Sequence, residues 1–556
     1  MEQTLRQRIS SRLSALKSER SSWESHWREI SDVLLPRSGR FFVEDRNRGD
    51  KRHNKIYDST ATKALGTLSA GLMAGMTSPA RPWFRLTTSD PQLDESAAVK
   101  EWLADVTRVM QMVFSRSNTY RALHTYYEEL GAFGTSAGLV LSDYRNVVHH
   151  YPCTVGEYSI ATDARGYVDT FSREFQLTVG QMVERFGKDK CSGTVRNLFD
   201  LNKLDRWITI AHVIEPRKNR DVRKRDAQNM AYRSAYIEVG ADEDQVLNDS
   251  GFKMFRVMAP RWKVTGGDIY GESPAMAALG DIKQLQHEQL RKAQCIDYKI
   301  KPPLQVPTAL KNHVVDTLPG GISHVDSVSP QGGIRTAFEV NIDLQHLLLD
   351  IQDVRERING SFYADLFLMI YNADKNGLTA TEVAERHEEK LLMLGPVLER
   401  LHNEMLDFLI EVTFLEMVEA NLVPPPPPEM QGMNLSVEFV SMLAQAQRAI
   451  GVNSVNQLIG HIGTIAQLKG DLSVWDKYDT DKDIDAYADM LGVDPELIVP
   501  GDRVAIIRKQ RAEQQAAMQQ AAMMAQGADT AQKLGSIDTS KPNALTDATR
   551  AFSGYT

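Results

Sequence analysis

Apolar residues recur at three to four positions, or simple multiples, through the opening segment: Leu5, Ile9, Leu13, Leu16, Trp23, Trp27 and Ile30. That spacing predicts an amphipathic helix to about Leu35, which Pro36 and Gly39 end. After a basic loop (Arg46, Arg48, Lys51, Arg52), residues 59–76 read as a second helix whose Gly71 and Gly75 allow close packing. The stretch SPARPWFRL then makes a turn and a strand, and residues 100–115 and 120–130 are further helices. From 138 to 239 the pattern changes to short β runs: GLVLSDY, VVHHYP, VDTFSREFQL, RWITIAHVIEP and SAYIEVG, with brief helices at 181–186 and 195–201. Between the last two strands lies PRKNRDVRKRD, the basic run from Arg217 to Arg225. It is read either as a solvated loop tip or as a contact for a polyanion or an acidic neighbouring subunit.

The middle of the chain has long-range regularity. Residues 274–300 predict a helix with Leu279, Ile282, Leu285, Leu290, Ala293, Ile296 and Ile300 on one stripe, stopped by Pro302 and Pro303. Residues 301–340 are extended and turn-rich, a small β module. A returning helix follows from 341 to about 358, with Val340, Leu344, Leu347, Ile351, Val354 and Ile358 stepping by three and four. Together they suggest a helical hairpin with stems of roughly 30 to 40 Å. Residues 372–377 form a polar loop, and Thr379-Ala-Thr-Glu382 has capping-box spacing for a long helix over 380–421, with a kink expected at Gly395-Pro396. The run Pro424 to Pro428 reads as a stiff spacer and a boundary. Helices are expected near 441–450, 455–468, 483–491 and 502–526, and the small polar residues after 527 read as frayed.

Composition narrows the classes. A length of 556 residues, at roughly 150 per domain, predicts three to four units. With 42% hydrophobic and 25% charged residues, wholesale disorder is excluded. The chain carries 64 Lys plus Arg against 73 Asp plus Glu, a formal charge of −9, which argues against a simple phosphate-gripping binder. Cys153, Cys191 and Cys295 are odd in number and far apart, giving neither a disulfide framework nor a zinc spacing, so a reducing compartment fits. The alternating charges of the first thirty residues lack the apolar core of a secretory signal. Charge-free residues 64–80 are too short to span a bilayer, and 449–468 are interrupted by Asn453, Asn456, Gln457, His461 and Gln467, so no membrane span is expected.

Catalytic and metal signatures are weak. Gly134-Thr-Ser136-Ala-Gly138 matches the G-x-S-x-G nucleophile elbow and defines the alternative reading, a serine hydrolase of α/β type using Ser136. That chemistry needs a strand before the serine and a helix after it, and the order here is the reverse. Asp479, Asp481, Asp483 and Asp485 begin like a calcium loop, but Ile484 stands where the turn glycine belongs and Met490 where the glutamate belongs. Asp481 or Asp483 capping the following helix is the plainer expectation. His149 and His150 alternate across a strand and cannot readily share one metal. No Walker A, GxGxxG or HExxH pattern occurs, so no catalytic, cofactor-binding or metal residues are assigned and no cofactor is expected.

Several stretches in a fixed order carry a resemblance: LLPRSGRF, GLMAGMTSPARPWFRL, ELGAFGTSAGLVL, GGDIYGESPAMAALGDIKQLQ, KNGLTATEVAERHEEKLLMLGPVLERLHNEML and LGVDPELIVP. In them the chain resembles the portal, or head-to-tail connector, proteins of short-tailed bacteriophages, up to about Arg511. The resemblance implies a helix-rich α+β fold with wing, two-helix stem, small β-containing clip and helical crown. Twelve copies would form a ring at one capsid vertex, with double-stranded DNA passing through the axial channel at packaging and ejection. Residues 1–273 would be the wing, 274–300 and 341–360 the stem, 301–340 the clip and 361–379 the tunnel-loop region. Residues 380–423 would be the long wing helix, 424–526 the crown and 527–556 a flexible tail. Implied partners are the terminase motor, then tail adaptor and tail proteins, with capsid and scaffolding proteins; the implied location is the virion, and the host cytoplasm during assembly. An enzymatic role is not implied.

By the same resemblance, Asn372, Ala373, Asp374, Lys375, Asn376 and Gly377 would project into the bore. Arg291, Lys292 and Arg355 are candidate channel-lining stem cations, or else members of surface and inter-subunit ion pairs. Leu344, Leu347, Ile351, Val354 and Ile358 would pack the stem. The charge acquires a use: DNA carries about one charge per 1.7 Å, and an acidic wall surrounds it without trapping it.

Overall fold

The computed structural model describes residues 4–42, 52–90, 93, 96–224, 226–241, 245–301, 304–305, 335–336, 344–372, 394–430, 435–440, 458–470, 472–484, 499 and 501–535. The chain forms two compact units, Met1–Leu93 with Ala98–Ile450, and Asp94–Ala97 with Gly451–Thr556. Helices and antiparallel sheets share the first unit, an α+β arrangement.

The opening periodicity produces a helix at Leu5–Val33, begun by a capping box in which Thr4 Oγ1 accepts from Gln7 N and Gln7 Oε1 accepts from Thr4 N. Its two halves enter different cores. Ile9 and Leu13 pack on Ala211, Val213, Ala235 and Ile237, whereas Trp27, Ile30 and Leu34 join the main core. Buried Arg20, midway, donates to the carbonyls of Gly156 and Tyr158 at 2.9 and 2.6 Å and pins the helix to the sheet.

Strands β1 (Phe84–Thr88), β2 (Ala137–Asp143), β3 (Val147–Cys153), β4 (Tyr158–Thr162) and β5 (Val168–Thr178) are followed by β6 (Trp207–Pro216), β7 (Tyr232–Glu238), β8 (Asn248–Phe252) and β9 (Val257–Met258). β4 to β8 form a five-stranded antiparallel meander, and β2 lies between β3 and β9. In the meander, side chains alternate between faces. Ala211 and Val213 oppose Ile237 and Ala235 and meet the first helix; Ile210 and Tyr236 meet the helices Val179–Phe186 and Gly193–Asp200 on the other face. Burial on both faces explains why RWITIAHVIEP reads as an almost continuous apolar run. β4 and β8 escape the sequence pattern: β8, NDSGF, is half-buried throughout and has no apolar alternation.

The GTSAG turn joins a helix, Thr119–Phe133, to β2, so the order needed for a nucleophile elbow is absent. Gly134 has φ +74°, and a Cβ there would lie 2.1 Å from the Gly271 carbonyl oxygen, so the turn requires glycine. Gly71, on the helix Thr60–Met76, lets the Phe367 ring approach so closely that a Cβ would sit 2.2 Å from it. Gly75 is buried on the same helix.

The proline run does not end the first unit, contrary to the sequence expectation. Trp102 Nε1 donates to the Pro424 carbonyl at 3.0 Å, and the chain continues into a strand, Leu435–Phe439, paired antiparallel with β1 from Phe84↔Phe439 to Thr88↔Leu435. The unit runs on to Ile450. The expected long helix is seen from 394 onward, with Gly395 and Pro396 in its first described turn. Its described irregularity is a π turn at His402–Leu406, after which Asp407–Glu419 is α-helical. It stops two residues earlier than expected, where Asn421 adopts φ +53° and the N–H of Leu422 donates back to the Met417 carbonyl.

In the second unit, Gly501–Gly535 is one helix of 35 residues, longer than the periodicity suggested. The aspartate series is corrected here. Asp479, not Asp481 or Asp483, caps the next helical turn by accepting from Lys482 N at 3.2 Å, and Asp481 takes a two-pronged pair with Arg508 at 2.5 and 2.7 Å.

Candidate channel element

Helices Leu279–Ile300 and Leu344–Ser361 run as the two legs of the expected hairpin. The outgoing leg is launched by a helical turn at Pro274–Ala277, capped by Ser273, whose Oγ accepts from Met276 N at 3.0 Å and donates to the Ala132 carbonyl at 2.9 Å. At the outer end, Leu304–Gln305 and Arg335–Thr336 pair antiparallel, a minimal β element where a β module was expected. The rest of 301–340 lies outside the described residues.

The root of the hairpin is a dry core. Ile282 and Leu285 on one leg and Val354 and Ile358 on the other are fully buried, with Ile351 at 2% exposure. Leu347 is partly buried against this core; the side chain of Leu344 lies outside the described residues. Farther out the outgoing stripe emerges, with Ile296 and Ile300 37% and 71% exposed, and on the returning leg Leu348 and Leu349, off its stripe, are 47% and 65% exposed.

Polar groups lock the root. Gln286 Oε1 accepts from the backbone N–H groups of Tyr57 and Asp58 at 2.6 and 2.8 Å, and its Nε2 donates to the Asp58 carbonyl at 2.9 Å. The buried Asp58 carboxylate accepts from Gln289 and Arg355 on the two legs, at 3.0 and 2.6 Å, and from Thr60 at the start of the second helix. Burial works against its charge, but the Thr60 and Arg355 hydrogen bonds outweigh it and hold the carboxyl below its ordinary range. Across the legs, Arg357 reaches Asp281 at 3.4 Å, while Glu288 faces Asp350; burial first, then that second carboxyl, pushes Glu288 up.

The sequence-assigned cations therefore divide. Arg355 is spent on Asp58 within its own chain. Arg291 is exposed, its guanidinium donating to His287 and Gln294 on the same helix, and half-exposed Lys292 has no carboxylate partner among the described residues. A left-handed residue, Tyr363 at φ +54°, turns the chain from the returning leg into the helix Ala364–Asn372. Asn372 ends that helix; Ala373, Asp374, Lys375, Asn376 and Gly377 lie outside the described residues.

Sequence reading missed the anchors beyond that loop. Arg256 pairs with Glu416 at 2.5 Å, both buried. Arg261 forks onto Glu404 at 2.7 and 3.2 Å while its own N–H donates to the same carboxylate at 2.9 Å. Five extended residues span ~17 Å and twelve helical residues ~18 Å, so the two arginines match the two glutamates along the helix. The available signal was weak: Glu416 stands in the largely apolar stretch FLIEVTFLEMV, but so does Glu411, which is exposed.

The G-x-S-x-G serine and the paired histidines are placed as follows. Ser136 is fully buried, its N–H bonded to the Pro260 carbonyl and its Oγ without a hydrogen-bond partner, so the hydrolase reading fails. His150 is buried with Nε2 3.0 Å from Thr119 Oγ1, and burial pushes it down to about 4; His149 meets the Tyr151 ring edge-on instead. Among the described residues no group of three or more His, Cys, Asp or Glu is placed to hold a metal, and no helix is long and apolar enough to cross a membrane.

The described residues form a helix-rich α+β body that carries a two-legged helical hairpin. The pattern of the family described as "Bacteriophage head to tail connecting protein" matches residues 6–499, and the chain belongs to that family. It is 67% identical over 555 residues to the "Probable portal protein" of Bordetella phage BPP-1, covering 100% of both chains. It is 46% identical over 547 residues to the "Portal protein" of Salmonella phage epsilon15, covering 98% of each.

Proposed function

We propose that this chain is the subunit of a twelve-membered portal ring at one capsid vertex, through which double-stranded DNA is packaged and later ejected. The observation that carries the reading is the helical hairpin, dry at its root and apolar but uncovered toward its tip, in a chain of the head-to-tail connecting family. Ile296, Ile300, Leu348 and Leu349 need a cover, and a neighbouring copy in a closed ring supplies one by a heterologous contact. The hairpin serves as stem, its outer β element as clip, the body as wing and the segment beyond Ile450 as crown.

Each copy brings a formal charge of −9, so the wall repels the duplex along its length and no position becomes a deep well. Lys375 in the tunnel loop, with Arg291 and Lys292 on the stem, supplies rings of isolated cations that centre the DNA. The clip docks the terminase during packaging and tail adaptor proteins afterwards; capsid and scaffolding proteins meet the body during assembly in the host cytoplasm. Electron micrographs of purified protein should show rings with a stain-filled centre, and mass measurement in solution should count the copies. A monomer or a small oligomer without a hole would overturn the reading.

A further inference from the structure

The basic loop between β6 and β7 is built rather than loose. The strands stay in register to Pro216↔Tyr232, and Arg217 N adds one rung to the Ala231 carbonyl at 2.8 Å. The Arg217 side chain is buried and bonded to Asp249 and the Ser250 carbonyl, so the loop rises from a fixed base. Both acids of the loop are used as scaffolding. Asp221 Oδ1 accepts from Arg223 N at 3.0 Å, the Asp221 N–H donates to Asn229 Oδ1 at 2.9 Å, and Asp226 Oδ1 accepts from Asn229 Nδ2 at 2.6 Å.

That arrangement leaves Lys218, Arg220, Arg223 and Lys224 exposed, none with a salt-bridge partner among the described residues. Several exposed cations elsewhere on this acidic chain pair with carboxylates, as Lys17 does with Glu174, Arg28 with Glu24, Lys253 with Glu419 and Lys283 with Glu29, whereas at this tip four neighbouring cations have none among the described residues. A protein partner would need an apolar or aromatic anchor, since interface centres are poor in lysine and energetically dominated by Trp, Tyr and Arg in dry pockets. Among the described residues of this tip the exposed large apolar side chain is Val222. Four unspent cations on a fixed loop, with no stacking aromatic, suit phosphates without sequence readout.

We infer that this loop tip binds the phosphate backbone of double-stranded DNA on the outside of the molecule, a contact separate from the channel. An acidic body with this cationic tip on each copy holds DNA at the tip and repels it along the acidic surface. The contact belongs to one chain, so it does not depend on ring formation.

The test uses the full-length protein and a covalently closed circular duplex, which cannot thread a closed ring. Wild-type protein should bind it at low salt. Combined Lys218→Gln, Arg220→Gln, Arg223→Gln and Lys224→Gln should weaken binding at least tenfold and lower the slope of log affinity against log salt by about 3 to 4. All four positions are exposed, and an unchanged melting curve confirms that the variant folds. Unchanged affinity and slope would overturn the inference. So would a variant that keeps DNA binding but fails to join capsid protein, which would assign the tip to a protein partner. Failure to form rings, with the circle still bound through the tip, would count against the portal assignment and not against this site.

Discussion

The two ends of the helical hairpin share one sequence rhythm and have opposite fates. At the root, Ile282, Leu285, Ile351, Val354 and Ile358 are sealed against each other and against the body. Toward the tip, Ile296, Ile300, Leu348 and Leu349 continue the apolar content with water on them. A helical period therefore encodes where apolar side chains point, while the presence of a body beneath decides whether one chain can bury them. The root belongs to folding and the tip to assembly.

That division predicts a sharp contrast between neighbours. Ile351→Asp places a carboxylate in a dry core and should cost about 4 kcal/mol or more, enough to deplete folded protein. Leu349→Asp, two residues earlier on the exposed side, should leave the melting temperature of the monomer nearly unchanged and abolish rings. Circular dichroism melts with size-exclusion mass measurement distinguish the two; intact rings in the Leu349 variant would remove the tip from the assembly contact.

A second contrast concerns charge. Arg355→Gln should cost about 1 to 3 kcal/mol, because Asp58 is buried and loses its charged partner. Arg291→Gln, whose side chain is exposed, should change stability by no more than about 0.5 kcal/mol. Equal losses in chemical denaturation would mean that the Asp58 lock contributes nothing special at the root.

The sequence pattern disclosed the first helix, the second helix and the hairpin because each is a local repeat of apolar positions. It placed most of the meander strands for the same reason. Partners far apart in the chain stayed hidden. Arg355 read as a channel-lining cation or as a member of a surface or inter-subunit ion pair, without Asp58, because Asp58 stands 297 positions earlier and no periodicity links them. The strand after the prolines was missed because its partner, β1, lies on the far side of the whole hairpin in sequence. Arg261 and Glu404, 143 positions apart, were invisible likewise. The failure of the elbow motif was legible, because the helix-before-strand order around Gly134 is local.

A pH-dependent effect lies in the helix beside the cap of the outgoing leg. Glu129 sits on the helix whose Ala132 carbonyl receives the Ser273 cap of the outgoing leg, and it is almost fully buried. Burial pushes its carboxyl up to about 8, partly offset by hydrogen bonds from Thr154 and the Val155 N–H. The unfolded chain loses this proton near pH 4.5, so between about 4.5 and 8 the folded state binds more protons than the unfolded one. Stability from this group is therefore whole below that window, falls through it as pH rises, and levels off above it. Glu129→Gln can accept from the Val155 N–H through its Oε1 and turn its Nε2 toward the Thr154 hydroxyl, and has nothing to ionise. The variant should melt a few degrees above the wild type at pH 8, with the gap closing toward pH 5. Parallel melting temperatures across that range would show that the root hides no proton. The exposed tip has no buried carboxyl of this kind among the described residues, so Leu349→Asp should leave the pH dependence of the monomer's melting as it is in the wild type.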